Sequence, residues 1–291
     1  CSVRNKIIKV KTASHSFKLF FNLTIDIIMN HRDLIRQLLL TSGKSITDAT
    51  DIKDLERFIE KFRPKSVGKE LIRIGGKGDG AYLLPDDLSG ISACFSPGVD
   101  VSSTFEEELA ESYGIDSFMV DFSVDKPPIE NKHFHFEKKF LGNKNNEKFI
   151  RLEDWVKNNI NDNSDLLLQM DIEGAEYEVI IDTPLEIFKK FRIMAIEFHS
   201  LDMIFNKNSF KIVEAVFDKL SNDFTVAHIH PNNSRPIINK NSINIPELLE
   251  FTFLRNDRVE LNDEKLQFPH ALDEKCAPHR PPRHLPKCWW S

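Results

Sequence analysis

LLLQMDIEGAEYEVII, residues 166–181, begins as an apolar run at Leu166–Met170 and then places Asp171, Glu173 and Glu176 within six residues, with Gly174 and Ala175 between them. A buried strand that ends in carboxylates and feeds a helix is how open α/β sheets build a ligand crevice at the carboxyl ends of their strands. A plainer reading is an ordinary acidic helix start, because carboxylates complement the dipole of any first helical turn. The neighbouring segments decide between the two.

On either side, the pattern alternates. Upstream, Ile91–Phe95 reads as a buried strand, Ser96–Asp100 as a loop, Ser102–Tyr113 as a helix capped by Ser102 or Ser103 with Glu106 placed for a capping box, and Ser117–Phe122 as a strand with Asp121 near its end. Gly114 ends that helix. The interval from Gly98 to Asp121 is close to the roughly 20 residues that separate a nucleotide loop from its ribose-binding carboxylate. Downstream, Arg192–His199 is a strand ending in Glu197 and His199, and Ser209–Leu220 is an amphipathic helix. Phe224–Ile229 and Leu248–Arg255 read as two mutually antiparallel strands with no helix between them. These alternations predict an α/β fold, doubly wound around an open, mostly parallel sheet.

Farther out, His31–Leu40 and Asp51–Lys61 read as short helices ahead of the sheet, and GGKGDG at Gly75–Gly80 reads as a hairpin turn or a close backbone approach to a ligand. No GK[ST] follows it, so it is not a P-loop. His133–Phe140 alternates as a strand with solvent-facing histidines, and Leu152–Asn159 starts a helix. From His270 onward the chain is rich in Pro, His and basic residues, and Cys276, His279, His284 and Cys288 fit no regular zinc spacing.

Composition excludes several classes. The chain has 291 residues, 41% hydrophobic and 29% charged, and a net charge of −6, which gives no basic field for nucleic acid. Its 23 Phe against 3 Tyr and 3 Trp predict a Phe-rich core. Cys1, Cys94, Cys276 and Cys288 form no CxxC and no disulfide framework, which points to a reducing compartment and favours a cytoplasmic location, with the secretory pathway as the alternative. The closest approach to a membrane segment, Phe17–Met29, is shorter than the roughly 18 residues a span needs and is interrupted by Asn22, Thr24 and Asp26. Residues 1–30 are expected as an extension outside the fold, 31–70 as a helical segment, 71–258 as the main domain and 259–291 as a disordered tail.

RIGGKGDGAYLLP, CFSPGVDVSSTFEEELA, LLLQMDIEGAEYEVI, IEFH and HIHPNN occur in that order. Together they resemble an FkbM-type methyltransferase domain, a branch of the class I S-adenosylmethionine-dependent methyltransferases, over about Leu71 to Arg255. The DIEGAE block is the most specific part. The resemblance implies a Rossmann-like seven-stranded sheet with an antiparallel last strand, and methyl transfer from S-adenosylmethionine to a hydroxyl oxygen of a glycan or small-molecule acceptor. The first loop, with Gly98 alone, is poorer in glycine than is usual in the family.

Within that resemblance, Ser96, Gly98 and Asp100 would form the cofactor loop and Asp121 would bind the ribose hydroxyls, with Glu173, Asp79 and Gly80 as further contacts. Arg73 and Tyr82 flank the same turn. An alcohol needs a general base or a metal before it attacks. His199, His228 and His230 are candidate bases, His199 foremost, with Asp171 and Glu197 at the same strand ends; Asp171, Glu197 and His199 would also suit Mg²⁺ or Mn²⁺. Two other readings are a catalytically inactive methyltransferase-like binding module, suggested by the thin loop, and a nucleotide-cofactor enzyme such as a dehydrogenase, disfavoured by the lack of GxGxxG.

Overall fold

The computed structural model describes residues 33–43, 46–99, 102–262 and 264–291. Phe17–Met29, His31 and Asp100 therefore lie outside the described residues. The chain divides into two units, Cys1–Asp48 and Ala49–Ser291. In the first, residues 33–41 form helix α1. Among the described residues, no helix is long and apolar enough to cross a membrane.

Beside a small hairpin of β11 (Ile237–Lys240) and β12 (Ile243–Pro246), the second unit is built on β3 (Ile91–Pro97), β4 (Asp116–Val120), β5 (Phe134–Glu137), β8 (Asp165–Met170), β9 (Phe191–Phe198), β10 (Phe224–Pro231) and β13 (Leu249–Arg255). They form one seven-stranded sheet in the order β10-β13-β9-β8-β3-β4-β5. The five strands from β9 to β5 are parallel, and β13 runs antiparallel to both β9 and β10. The expected Rossmann-like sheet with an antiparallel last strand is therefore present. The order steps one way from β3 through β4 to β5 and the other way through β8 to β9, so the switch point falls between β3 and β8, where such sheets open a crevice.

Alternating side chains on these strands divide the core in two. On one face, Phe95, Leu166, Leu168, Met194, Ile196, Phe198 and Phe251 pack against α2 (Ile52–Lys61), α4 (Leu152–Asn159), α5 (Glu176–Asp182) and α7 (Lys207–Ser221). Helix α7 buries Phe210, Val213, Val216, Phe217 and Leu220 at helical spacing, and its N-cap Asn206 accepts from the Asn208 and Ser209 N–H groups. On the other face, Cys94, Leu167, Ile193, Ala195 and Leu254 lie under helix α3 (Thr104–Glu108) and the hairpin of β1 (Leu71–Ile74) and β2 (Tyr82–Pro85). The Thr252 hydroxyl donates to the Leu83 carbonyl at 2.7 Å and fastens the hairpin to the sheet. The expected hairpin at Gly75–Gly80 is thus real, and its turn sits over the sheet.

Two expectations need correction. The capping box at α3 does not form: Ser103 is the N-cap but makes no side-chain cap bond, and Glu106 turns into the core to bond Ser96 instead. The segment expected as a disordered tail packs on the core at Leu285 and Trp289. Trp289 and Leu285 are buried in the main core, and the Trp289 ring meets Phe58 and Phe251 edge-on. The Trp289 indole N–H donates to the Asn244 carbonyl at 3.2 Å, and Arg63 Nε donates to the Cys288 carbonyl at 3.0 Å. The prolines favour extended chain over helix, and a few large apolar side chains then dock it.

Removing a fully buried Trp leaves a large cavity. Trp289→Ala is expected to lower the unfolding free energy by about 3–5 kcal/mol in a chemical denaturation curve; an unchanged midpoint would mean that the C-terminal segment does not close the core.

Candidate functional site

The carboxyl ends of β3, β4 and β8 meet at Gly98, Asp121 and Asp171. Gly98 has φ 91°, and a Cβ placed there would lie 1.7 Å from the Asp171 carbonyl oxygen. Only glycine lets these two loops cross. Its function in the chain is therefore first to admit the Asp171 backbone, not only to leave room for a ligand.

Asp171 begins a tight turn. Glu173 (φ 55°) and Gly174 (φ 102°) are both left-handed, a conformation uncommon for a glutamate. The turn is held from inside by Glu176, which is fully buried. Its Oε1 accepts from the Ile172 and Gly174 N–H groups, each at 3.1 Å, and lies 3.1 Å from His199 Nδ1. His199 follows β9, and Tyr177 fixes its carbonyl with a 3.0 Å hydrogen bond. The far nitrogen, Nε2, lies 3.8 Å from Asp171 Oδ1 and 3.4 Å from Glu173 Oε2. The donor atoms of Asp171, Glu173 and His199 lie within 4.8 Å of one another, close enough to surround one hard cation.

Two adjoining cavities share Asp79, Gly98 and Asp171. The larger, about 410 Å³, is also lined by Val120, Asp121, Ser123, Phe140, Leu141, Phe149, Ile172 and Glu173. The smaller, about 110 Å³, adds Gly80, Ser102, Thr104, Glu106 and Gln169. Asp121 is buried, and its Oδ1 accepts from the Ser123 N–H at 2.7 Å and hydroxyl at 2.6 Å. Phe140 lies on β6 (Phe140–Gly142) and Phe149 on β7 (Phe149–Arg151), a two-stranded pair beyond β5 that gives the larger cavity an apolar wall.

Of the sequence-derived candidates, Gly98, Asp121, Asp171, Glu173, Asp79 and Gly80 all line this cleft. Ser96 does not; it is buried beneath, where its hydroxyl bonds Glu106 and Gln169, and Gln169 in turn donates to the Tyr82 hydroxyl at 3.3 Å. Tyr82 is thus part of the floor, and Arg73 is spent on the hairpin turn, donating from Nε to the Gly76 carbonyl at 2.6 Å. Glu197 sits behind the cleft, where Asn232 bridges it at 3.0 Å to Asp79 at 3.1 Å. The structure does not bring His228 and His230 to Asp171. Asp273 holds them instead, its Oδ1 lying 2.9 Å from His228 Nε2 and 3.4 Å from His230 Nδ1.

Burial and crowding of like charges set the electrostatics. Burial pushes the Asp171 carboxyl up to about 7; the Glu176, Asp79 and Glu173 charges add to this, and His199 opposes it. Burial, then Asp171, Glu250 and Asp79, hold Glu197 well above the carboxylate range. For His199, burial lowers the pKa, but the Glu176 hydrogen bond and the surrounding carboxylates outweigh it and leave the ring above its ordinary value. Asp171 Oδ1 is buried without a hydrogen-bond partner. The cleft therefore presents a carboxyl group that changes charge near neutrality, backed by an imidazole.

Sequence reasoning missed the anchoring role of Glu176, the apolar wall of Phe140 and Phe149, and Asp273. Glu176 stood inside the DIEGAE block; Phe140 reads as the end of the alternating run His133–Phe140, and nothing local joins it to Phe149.

The model of the methyltransferase FkbM domain matches residues 100–225. Among solved structures, the crystal structure of a fibrillarin/Nop5p complex is similar over 58% of this chain and 74% of that one, with 14% identity and a TM-score of 0.35. No curated protein matches. The matched segment runs from the loop after β3 to the start of β10 and includes Asp121, the DIEGAE turn and His199; over residues 100–225 the chain is similar to the methyltransferase FkbM domain.

Proposed function

We propose that the protein is an S-adenosylmethionine-dependent O-methyltransferase acting on a hydroxyl of a glycan or small-molecule acceptor. One observation carries this reading: a single cavity of about 410 Å³ is lined together by the Asp121 carboxylate, the apolar Phe140, Leu141 and Phe149, and the Asp171–Glu173 turn. That volume suits a nucleoside-sized ligand, since small-molecule sites run from about 300 to 1,000 Å³.

The residues present fit the cofactor. Asp121, fixed by Ser123, supplies acceptors for a ribose diol. Phe140 and Phe149 offer flat apolar surface to a purine. Gly98, without a side chain, exposes backbone to both cavities. S-adenosylmethionine, when bound, supplies an electrophilic methyl carbon.

Asp79 and Asp171 both face the two cavities; Asp79 is engaged by Asn232, whereas Asp171 stands beside the His199 ring, so we assign Asp171 the role of general base. Its pKa of about 7 is matched to removing a hydroxyl proton near neutral pH. His199, held by Glu176, stands 3.8 Å behind it and stabilises its charged form. Glu173, largely exposed on the left-handed turn, is placed to orient the acceptor. Positioning supplies much of the acceleration in such a transfer, which explains why the turn is so tightly held.

Calorimetry tests cofactor binding. The wild type is expected to bind S-adenosylmethionine, and Asp121→Ala is expected to weaken binding at least tenfold; binding of NAD in its place would sink the proposal.

The raised Asp171 pKa makes a second prediction with a definite sign. The folded state holds this proton more tightly than the unfolded chain, so stability falls as pH rises from about 4 to about 7. The raised pKa of His199 acts in the same direction, its contribution being lost as pH rises. Asp171→Asn is expected to flatten this part of the stability–pH profile and to raise Tm above pH 7, while reducing methyl transfer by about 10²–10⁴-fold. A variant with unchanged transfer would exclude Asp171 as the base.

A further inference from the structure

Outside the cleft, a second set of chemically active side chains meets beneath the C-terminal segment. We propose that His230, Glu250 and Cys276 hold a zinc-class divalent cation there, with His228 and Asp273 as the hydrogen-bonded partners that orient the cluster.

The fold brings these groups together from three separate places. On β10 the pairing register skips Ala227, and His228 and His230, two residues apart, then share a face. His230 stands directly opposite Glu250 on β13. Asp273 and Cys276 come from the C-terminal segment, and Cys276 Sγ donates to Glu250 Oε1 at 3.1 Å. The donor atoms of His230, Glu250 and Cys276 all lie within 4.8 Å of one another, and those of His228, His230 and Asp273 do so too, with His230 common to both sets. Ligands about 2.0–2.3 Å from a tetrahedral zinc need no wider spread than this.

Several features point to a cation. Glu250 is also paired across the sheet with Glu197, and both are buried. Two buried carboxyl groups side by side, with a thiol against one of them, are costly without positive charge. The positive groups that act on Glu250 are His230 and Arg73, and Arg73 is engaged with the Gly76 carbonyl. His230 Nδ1 is buried and makes no hydrogen bond, although it lies 3.4 Å from Asp273. A cavity of about 230 Å³, lined by His230, Asp273, Glu274 and His284 among others, opens beside His230.

The donor chemistry selects the metal. Thiolate and imidazole with one carboxylate suit zinc, whereas Mg²⁺ and Ca²⁺ prefer oxygen throughout. The hard set at Asp171, Glu173 and His199 contrasts with this one. Asp273, hydrogen-bonded to His228 and 3.4 Å from His230 Nδ1, closes the cluster on that side. Such an ion would tie β10 and β13 to the C-terminal segment, so its binding energy would stabilise that segment's docking.

The test uses the full chain and two probes, Zn²⁺ and Co²⁺. Zinc content is measured after purification, affinity is measured by competition with a chromophoric chelator, and the Co²⁺-loaded protein is scanned for a near-ultraviolet thiolate-to-cobalt band. One zinc per chain and a thiolate band are expected. The band is expected to vanish in Cys276→Ser and to persist in Cys288→Ser and in His199→Ala. Asp273→Asn is expected to weaken zinc affinity about 10–100-fold, with the fold checked by circular dichroism. A wild-type chain that binds no zinc, or a Cys276→Ser chain that keeps both stoichiometry and band, would overturn the site. Because the wild-type spectrum decides by itself, a variant that fails to fold leaves the proposal falsifiable.

Discussion

A single buried carboxylate, that of Glu176, holds the cleft in shape. Its Oε1 gathers two backbone N–H groups of the turn, from Ile172 and Gly174, and faces the His199 ring at the end of the next strand. Hydrogen bonds to a charged acceptor contribute about 1.5–3 kcal/mol each. The other Glu176 oxygen, Oε2, is buried without a hydrogen-bond partner. The same bonds fix two left-handed residues, Glu173 and Gly174, that would otherwise relax. The strain in the turn and the order of the site are thus two aspects of one interaction. Without Glu176, Asp171 would lose its fixed direction and His199 its anchor.

The second constraint is the crossing at Gly98. The loop after β3 passes so close to the Asp171 carbonyl that no side chain fits. This crossing lies at the switch point of the sheet, and it sets the cavity mouth between Asp121 and Asp171. Above it, the β1–β2 hairpin lowers Asp79 into both cavities and is fastened by Thr252 and Asn232. Ser96, Glu106, Gln169 and Tyr82 form a polar floor that leaves the cleft rigid from below. Burial raises the pKa of Glu106 and, further, that of Tyr82, so the floor favours neutral groups. Asp121, Asp171 and Glu173 line the rim above it.

The strands were legible because their residues are apolar on both faces, as Leu166–Met170 shows, and the helices because Phe210, Val213, Phe217 and Leu220 repeat at helical spacing. Gly98, Asp121 and Asp171 were legible for the same reason: each lies just beyond a recognisable strand. What could not be read was anything decided by long-range contact. His228 and His230 sit at a strand end, like His199, yet Asp273, more than forty residues away in sequence, draws them to a different place. Glu106 occupies a capping-box position, but Ser96 offers it a buried partner and the cap is lost. The C-terminal segment has the composition of a linker, and a handful of side chains, Trp289 above all, override that composition by packing. Spacing reports which residues share a strand or a turn; it does not report which distant group will claim them.

On the proposed function, the crevice between β3, β4 and β8 takes an adenosine cofactor whose reactive end faces Asp171. The most direct measurement is a crystal structure of the protein grown with S-adenosylhomocysteine. The expected result places the ribose on Asp121, the purine against Phe140 and Phe149, and the thioether sulfur toward Asp171. A nucleoside found elsewhere on the chain, or a cleft that stays empty at saturating ligand, would contradict it.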